Sequence, residues 1–166
     1  MPDRVLAAIS VAGLMPFGAD ELDWFAGMHP AGEASLRAAL AGREAKMAYE
    51  ESAPEFDATL FTDADWTALS GPWSWFDKVV GPAVASGPAG LVDDDIAYVT
   101  PWGVDLARIA APVLILHGDQ DRIVPVRHGE WLARHCPGAQ LWRGPDDGHI
   151  SVLHAAPQAL SWLAAP

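Results

Sequence analysis

The feature that most constrains the fold is a short apolar run at residues 113–116. It reads Val-Leu-Ile-Leu without a polar residue and ends at His117-Gly118. A strand that is buried on both faces, as in a parallel sheet, has this continuous pattern, whereas a half-exposed strand alternates apolar and polar residues. The run therefore predicts an inner strand of a parallel sheet with helices packed against it.

The segment after this run predicts a strand–helix–strand unit. Apolar residues recur at helical spacing in residues 126–136, Pro137-Gly138 marks a turn, and residues 139–143, "AQLWR", predict a second strand. An earlier apolar run at residues 4–13 predicts a third strand. Parallel strands joined through a helix need a right-handed crossover. We therefore expect an α/β protein with a short parallel sheet of about three strands and flanking helices.

The last segment, residues 150–166, predicts a helix with Pro157 near its start or at a break. Its apolar residues Leu160, Trp162 and Leu163 are expected to cover one face of the sheet, because they recur at helical spacing.

Residues 18–100 have a different character, since they are rich in Ala and Glu and helical in tendency. Thr62 and Asp65 have the spacing of a capping box, and the three aspartates at 93–95 suggest the acidic amino terminus of a helix. A segment of this length is too long for a plain loop. We expect residues 18–100 to form a helical cap, with residues 1–17 as a core strand and residues 101–166 as the rest of the core.

Charge and composition exclude several classes of function. The net charge of −12 disfavours nucleic acid and anionic membranes as partners. No apolar run reaches the roughly 18 residues that span a bilayer, and the start lacks a secretory pattern, so a cytoplasmic location is expected. Cys136 is the only cysteine, and the six histidines lack the spacing of metal ligands. We expect no metal, no cofactor and a small-molecule substrate.

Two residues are candidates for catalysis. Asp121 follows the strand at 113–118, and His149 follows the strand at 139–143. Because the carboxyl ends of neighbouring parallel strands lie at one edge of a sheet, both side chains are expected to meet there. A carboxylate that orients a histidine is the acid–base half of a catalytic triad. Asp119 is expected to hold the turn through local hydrogen bonds, and His117 to be structural. The remaining histidines lack a paired acid and are expected to be solvated or half-buried: His29, His128, His135 and His154.

These residues resemble the carboxyl-terminal half of an α/β-hydrolase with a helical cap. The resemblance rests on His117-Gly118-x-x-Asp121 with Val124-Pro125, on Gly148-His149, and on residues 2–13 as the approach to that family's sixth strand. It implies that Asp121 is the acid that orients His149, and that His149 is the general base. It also implies a small ester or amide-type substrate and a covalent intermediate.

The family's nucleophile is not found in this sequence. In α/β-hydrolases it lies on a G-x-S-x-G turn before the acid, and no such turn occurs here. Ser10 is better placed inside the first strand. The chain is therefore expected to be a carboxyl-terminal fragment, inactive alone and prone to self-association through the open edge of its first strand. A non-enzymatic half-domain that binds or complements an amino-terminal partner is the alternative.

Overall fold

The computed structural model describes residues 5–19 and 23–164 and contains a three-stranded parallel sheet. Strand order is β1-β2-β3, with Ala8 opposite Val113 and Leu114 opposite Gln140. The strands are β1 (Ala8–Val11), β2 (Val113–Gly118) and β3 (Gln140–Gly144). The predicted α/β class and the short parallel sheet are confirmed, although β1 is shorter than the apolar run that predicted it.

Seven α-helices occur in the described residues. Five of them, α1 to α5, lie between β1 and β2, and we call residues 30–98 the helical insertion. The other two follow β2 and β3. The helices are α1 (Pro30–Leu40), α2 (Arg43–Glu51), α3 (Asp63–Ser70), α4 (Asp77–Val84), α5 (Ala89–Tyr98), α6 (Arg127–His135) and α7 (Ala156–Ala164).

Helix α7 covers one face of the sheet. Leu114 and Leu116 of β2 are fully buried there against Val152 and Ala159, with Trp162 packed beside them. The prediction that Leu160 and Leu163 cover this face is wrong, because they are 62% and 41% exposed. The register of α7 turns Ala159 and Trp162 toward the strands, which leaves the two leucines on the outer side.

The other face of the sheet is only partly covered. Helix α6 packs near it and leaves a groove of about 860 Å³, lined mainly by apolar side chains. Within the described sheet β1 pairs only with β2, so its second edge is open beside this groove. Residues that line the groove include Ala8, Ser10, Val113, Ile115, Leu132 and Cys136.

A second core joins the helical insertion to α6. Its aromatic centre is Trp24, which meets Phe17 and Phe25 edge to face at 5.3 and 5.0 Å between ring centroids. Trp24 also donates its indole N–H to the carbonyl of the fully buried Met15. The buried members of this core are Met15, Trp24, Phe25, Met28, Ala39, Val99 and Trp131.

A buried lysine ties three helices of the insertion together. Lys46 of α2 is 0% exposed, and its Nζ lies 2.7 Å from Oδ2 of Asp95 on α5 and 2.5 Å from Oε1 of Glu50. It also donates to Ser35 of α1. Burial lowers the pKa of Lys46, but its hydrogen bonds to the two carboxylates outweigh this and the pKa is raised.

This contact corrects one prediction. The aspartates at 93–95 do not begin a helix, because α5 begins at Ala89 and has no acidic residue in its first turn. Asp95 is instead the buried partner of Lys46.

Candidate active site

The turn after β2 is organised around the carboxylate of Asp121. Its Oδ1 accepts hydrogen bonds from the backbone N–H groups of Ile123 and Val124, each at 2.9 Å. The side chain of Asp121 is 0% exposed. The turn therefore fixes one carboxylate oxygen and leaves Oδ2 available to another partner.

His117, at the end of β2, is hydrogen-bonded to this turn. It is fully buried, and its Nε2 donates to the carbonyl of Val124 at 2.7 Å. Its Nε2 is 3.7 Å from Oδ2 of Asp121. Burial lowers the pKa of His117 more than these neighbours raise it, so the ring stays neutral. His117 packs at the strand end, as predicted.

His149 meets the free oxygen of Asp121. Its Nδ1 lies 2.8 Å from Oδ2 of Asp121, and its side chain is 26% exposed. A neutral imidazole that donates from Nδ1 to a carboxylate carries its lone pair on Nε2. Within the described residues Nε2 has no hydrogen-bond partner. The structure thus brings the two predicted residues together and leaves Nε2 of the partly exposed His149 side chain without a partner among the described residues.

Asp119 takes a different position from the one predicted. Its Oδ1 accepts from Nε of Arg143 on β3 at 2.6 Å, and the same guanidinium bonds Glu130 at 2.8 Å. The expectation of local turn hydrogen bonds for the Asp119 side chain is therefore wrong, because the neighbouring strand supplies a cation at bonding distance.

The loop that carries His149 is held by a residue of the helical insertion. Asp65 of α3 accepts from the backbone N–H groups of Ile150 and Ser151, both at 2.8 Å. The capping box of Thr62 and Asp65 is confirmed. The reach of Asp65 to the histidine loop was missed, since the two segments are 85 and 86 positions apart and no local pattern links them.

The other buried histidine, His128 of α6, was expected to be solvated or half-buried, and that expectation is wrong. It is fully buried; its Nδ1 accepts from the backbone N–H of Met15, and its ring meets Trp24 edge to face. Burial lowers its pKa to about 4, so it is neutral near pH 7.

The described hydroxyls and thiol include no partner for Nε2 of His149. Ser10 lies within β1, as predicted. Ser151 is the nearest serine in sequence, but its Oγ accepts from Gly148 and donates to Asp65. Cys136 is buried, and burial raises the pKa of its thiol, which disfavours the reactive thiolate.

Residues 5–19 and 23–164 contain no cluster of three or more His, Cys, Asp or Glu side chains arranged to hold a metal ion. None of the helices found there combines the length and the apolar character required to cross a membrane.

The comparison with known families agrees with the fold. The family model described as alpha/beta hydrolase fold matches residues 2–156. This protein belongs to the α/β-hydrolase family. It shares 39% identity over 54 residues with the pimeloyl-[acyl-carrier protein] methyl ester esterase of Aromatoleum aromaticum. With the enzyme of that name from Nitrosomonas europaea it shares 32% identity over 84 residues.

Solved structures show the same fold at low sequence identity. The chain aligns over 98% of its length with bromoperoxidase from Bacillus anthracis, at a TM-score of 0.62 and 20% identity. It aligns over 96% of its length with an esterase from Exiguobacterium antarcticum, at a TM-score of 0.59 and 18% identity. These alignments span 59% and 57% of those chains.

The alignments to the curated relatives are shorter. They span 32% and 51% of this chain, and 22% and 32% of the two esterases. The chain therefore matches only part of each relative.

Proposed function

We propose that this chain supplies the acid and the base of a nucleophile–His–Asp triad that hydrolyses a small carboxylic ester or related acyl compound. The observation that carries the proposal is the 2.8 Å contact between Nδ1 of His149 and Oδ2 of the buried Asp121. His149 is the general base that takes the proton of the nucleophile and returns it to the leaving group. Asp121 keeps the ring in the tautomer that exposes Nε2 and stabilises the imidazolium.

The nucleophile in this proposal lies on a segment outside the present sequence. A G-x-S-x-G turn on a strand beside β1 places its hydroxyl at the same sheet edge as the two loops, because all the strands are parallel. Such a strand would pair with the open edge of β1, and its helix would pack against the apolar groove next to it. Helices α1 to α5 serve as the cap over the substrate.

Two observations favour an ester as the substrate. Both curated relatives named above are methyl ester esterases, and the triad half found here suits acyl transfer through a covalent intermediate. The net charge of −12 favours a small molecule over a nucleic acid. The proposed location is the cytoplasm.

A second candidate function is a half-domain that binds an amino-terminal partner chain without catalysis. It is favoured by the exposed apolar side chains around β1, since Leu6 is 85% and Val5 54% exposed. An open strand edge flanked by apolar residues is a template for strand addition.

The decisive experiment joins the chain to the coding sequence upstream of Met1, either in frame or by co-expression if it is a separate reading frame. Hydrolysis of p-nitrophenyl acetate is measured for the joined protein and for its His149→Ala variant. We expect turnover that falls by about 10⁴-fold or more in the variant. An assembled but inactive protein supports the half-domain.

The chain alone gives a complementary test. We expect no labelling by a fluorophosphonate probe, because the proposed nucleophile is absent from it. Labelling at any serine that is lost in His149→Ala would falsify the assignment of the nucleophile to another segment.

A further inference from the structure

The base of the proposed triad depends on a residue that does not belong to it. We propose that Asp65, on α3 of the helical insertion, is a positioning residue that fixes the loop carrying His149. This inference rests on the proposed function for its catalytic meaning, although the contacts on which it is built stand independently.

One carboxylate oxygen of Asp65 binds the loop on the carboxyl side of His149. Oδ1 accepts from the backbone N–H of Ile150 and of Ser151 at 2.8 Å, and from Oγ of Ser151 at 3.1 Å. Two successive backbone donors on one ionised oxygen fix the direction in which the chain leaves His149.

The loop on the amino side of His149 is tied to the same carboxylate. The backbone N–H of Gly148 donates to Oγ of Ser151 at 2.7 Å, and that hydroxyl donates to Asp65. A Cβ at position 148 would overlap the carboxylate of Asp65, so only glycine lets the loop wrap around it. His149 therefore sits at the tip of a loop whose two ends are held at one point.

The second oxygen of Asp65 anchors the carboxylate in its own segment. Oδ2 accepts from the backbone N–H of Thr62 at 3.0 Å and from its Oγ1 at 2.9 Å. Asp65 is 1% exposed. Burial opposes its ionisation, but hydrogen bonds from Ser151, Thr62 and Ile150 outweigh this, and its pKa is lowered. A buried carboxylate with five donors is a rigid support.

The same part of the insertion also contacts the acid turn. The carbonyl of Thr59 accepts from the guanidinium of Arg122 at 2.8 Å, and Arg122 directly follows Asp121. The carbonyl of Arg122 accepts from the backbone N–H of His29 at 2.7 Å, just before α1. Residues 57–65 thus contact both the Asp121 turn and the His149 loop. Of these two contacts, the one made by the Asp65 carboxylate is buried, whereas the one between Thr59 and Arg122 is exposed.

The test observes the Asp121–His149 hydrogen bond directly in the chain as it is. Imidazole ¹⁵N and Nδ1–H resonances are recorded in histidine-labelled protein and assigned by their loss in His149→Gln. In Asp65→Ala we expect the exchange rate of this proton to rise by about tenfold or more and the Nδ1–H tautomer to lose its dominance. Asp65→Asn keeps the size of the side chain and one acceptor oxygen, so its effect is intermediate.

Two control variants separate positioning from helix capping. Thr62→Val removes the hydroxyl of the capping box and leaves the acceptor of Ile150 and Ser151 in place, and Asp63→Asn removes an exposed carboxylate from the same first turn. We expect the His149 proton to keep its wild-type exchange rate in Asp63→Asn. Thr62→Val removes one of the five donors to Asp65 and lowers the melting temperature, but the exchange rate should rise by less than about threefold, because both contacts to the backbone of the His149 loop remain.

A wild-type exchange rate and tautomer for His149 in folded Asp65→Ala would overturn the proposal. If Asp65→Ala does not fold, the exchange rate of the His149 proton in Asp65→Asn is compared with that in the control variants, and a rate no higher than in the controls would likewise overturn the proposal. In the joined hydrolase, Asp65→Asn should lower kcat while KM stays within about twofold. If the joined protein proves inactive while the proton still responds to Asp65, the proposed function fails and the positioning role stands.

Discussion

The Nδ1 atom of His149 lies 2.8 Å from Oδ2 of Asp121, although the two residues are 28 positions apart. The contact forms because β2 and β3 are parallel neighbours, and each residue follows the carboxyl end of its strand. One oxygen of Asp121 is held by its own turn, and the other is directed to the imidazole. The orientation of the Asp121 carboxylate is therefore fixed by backbone N–H groups of its own turn.

Because Asp121 bonds His149 and Asp119 does not, substitutions of the two aspartates should differ sharply in their effect on turnover. In the joined hydrolase, Asp121→Asn should reduce kcat by about 10⁴-fold, because an amide can hold the imidazole in the wrong tautomer. Asp119→Asn serves as the control: its partner is Arg143, so kcat should change by less than about threefold. Steady-state kinetics on both variants checks this, and equal losses would contradict the assignment of the acid.

The buried ion cluster predicts a large loss of stability when its cation is removed. Lys46→Ala leaves the buried Asp95 without its partner, and the free energy of unfolding should fall by about 3–5 kcal/mol. Lys78→Ala, at an exposed position of α4, should change it by less than about 0.5 kcal/mol. Urea titration followed by tryptophan fluorescence measures both, and a loss below about 1 kcal/mol for Lys46→Ala would count against the cluster.

His128 predicts how stability depends on pH in mild acid. Its pKa is about 4 in the folded chain and near 6.5 when unfolded, so the unfolded state binds the extra proton between those values. Stability is therefore complete above about pH 6.5 and falls as the pH drops toward 4, by about 3 kcal/mol in total. His117, whose pKa is also lowered by burial, acts in the same direction.

Urea midpoints measured from pH 7 to pH 4 check this prediction. In His128→Gln the decline should become shallower but not vanish, because His117 remains. An unchanged slope in that variant would show that His128 does not contribute.

The open edge of β1 predicts self-association of the isolated chain. Leu6, two residues before β1, is 85% exposed, and Val11, the last residue of β1, is 37% exposed. Sedimentation velocity should show dimers or larger species at micromolar concentration, and Leu6→Lys with Val11→Lys should shift the chain to monomer, because edge charges block strand pairing. Leu160→Lys, on the outer face of α7, is the matched control. A wild-type chain that is monomeric throughout would refute the prediction.

Local patterns were enough to predict the sheet and the Asp121–His149 contact. An apolar run that ends in a turn marks a buried strand, and the parallel arrangement of two such strands then places Asp121 beside His149. The same reasoning found the capping box at Thr62. In each case the information lies within a few residues of the feature. The family resemblance added the expected roles of Asp121 and His149.

The contacts that were missed are all long-range. Asp95 looked like part of a helix amino terminus, but its partner Lys46 comes from another helix. His128 was expected to be solvated or half-buried, yet it is fully buried and contacts Met15 and Trp24. Asp65 reaches a loop 86 positions away. A polar residue reveals its spacing in the sequence but not its burial, which depends on how distant segments pack.

The support that Asp65 gives to the histidine loop has a consequence for protein engineering. If the proposed function holds, exchanging residues 30–98 for the corresponding helices of another α/β-hydrolase is an obvious way to change substrate preference. Such a graft also removes the anchor of the His149 loop. A chimera should retain residues 57–65 from this chain, or carry a carboxylate at the position of Asp65, if His149 is to stay beside Asp121.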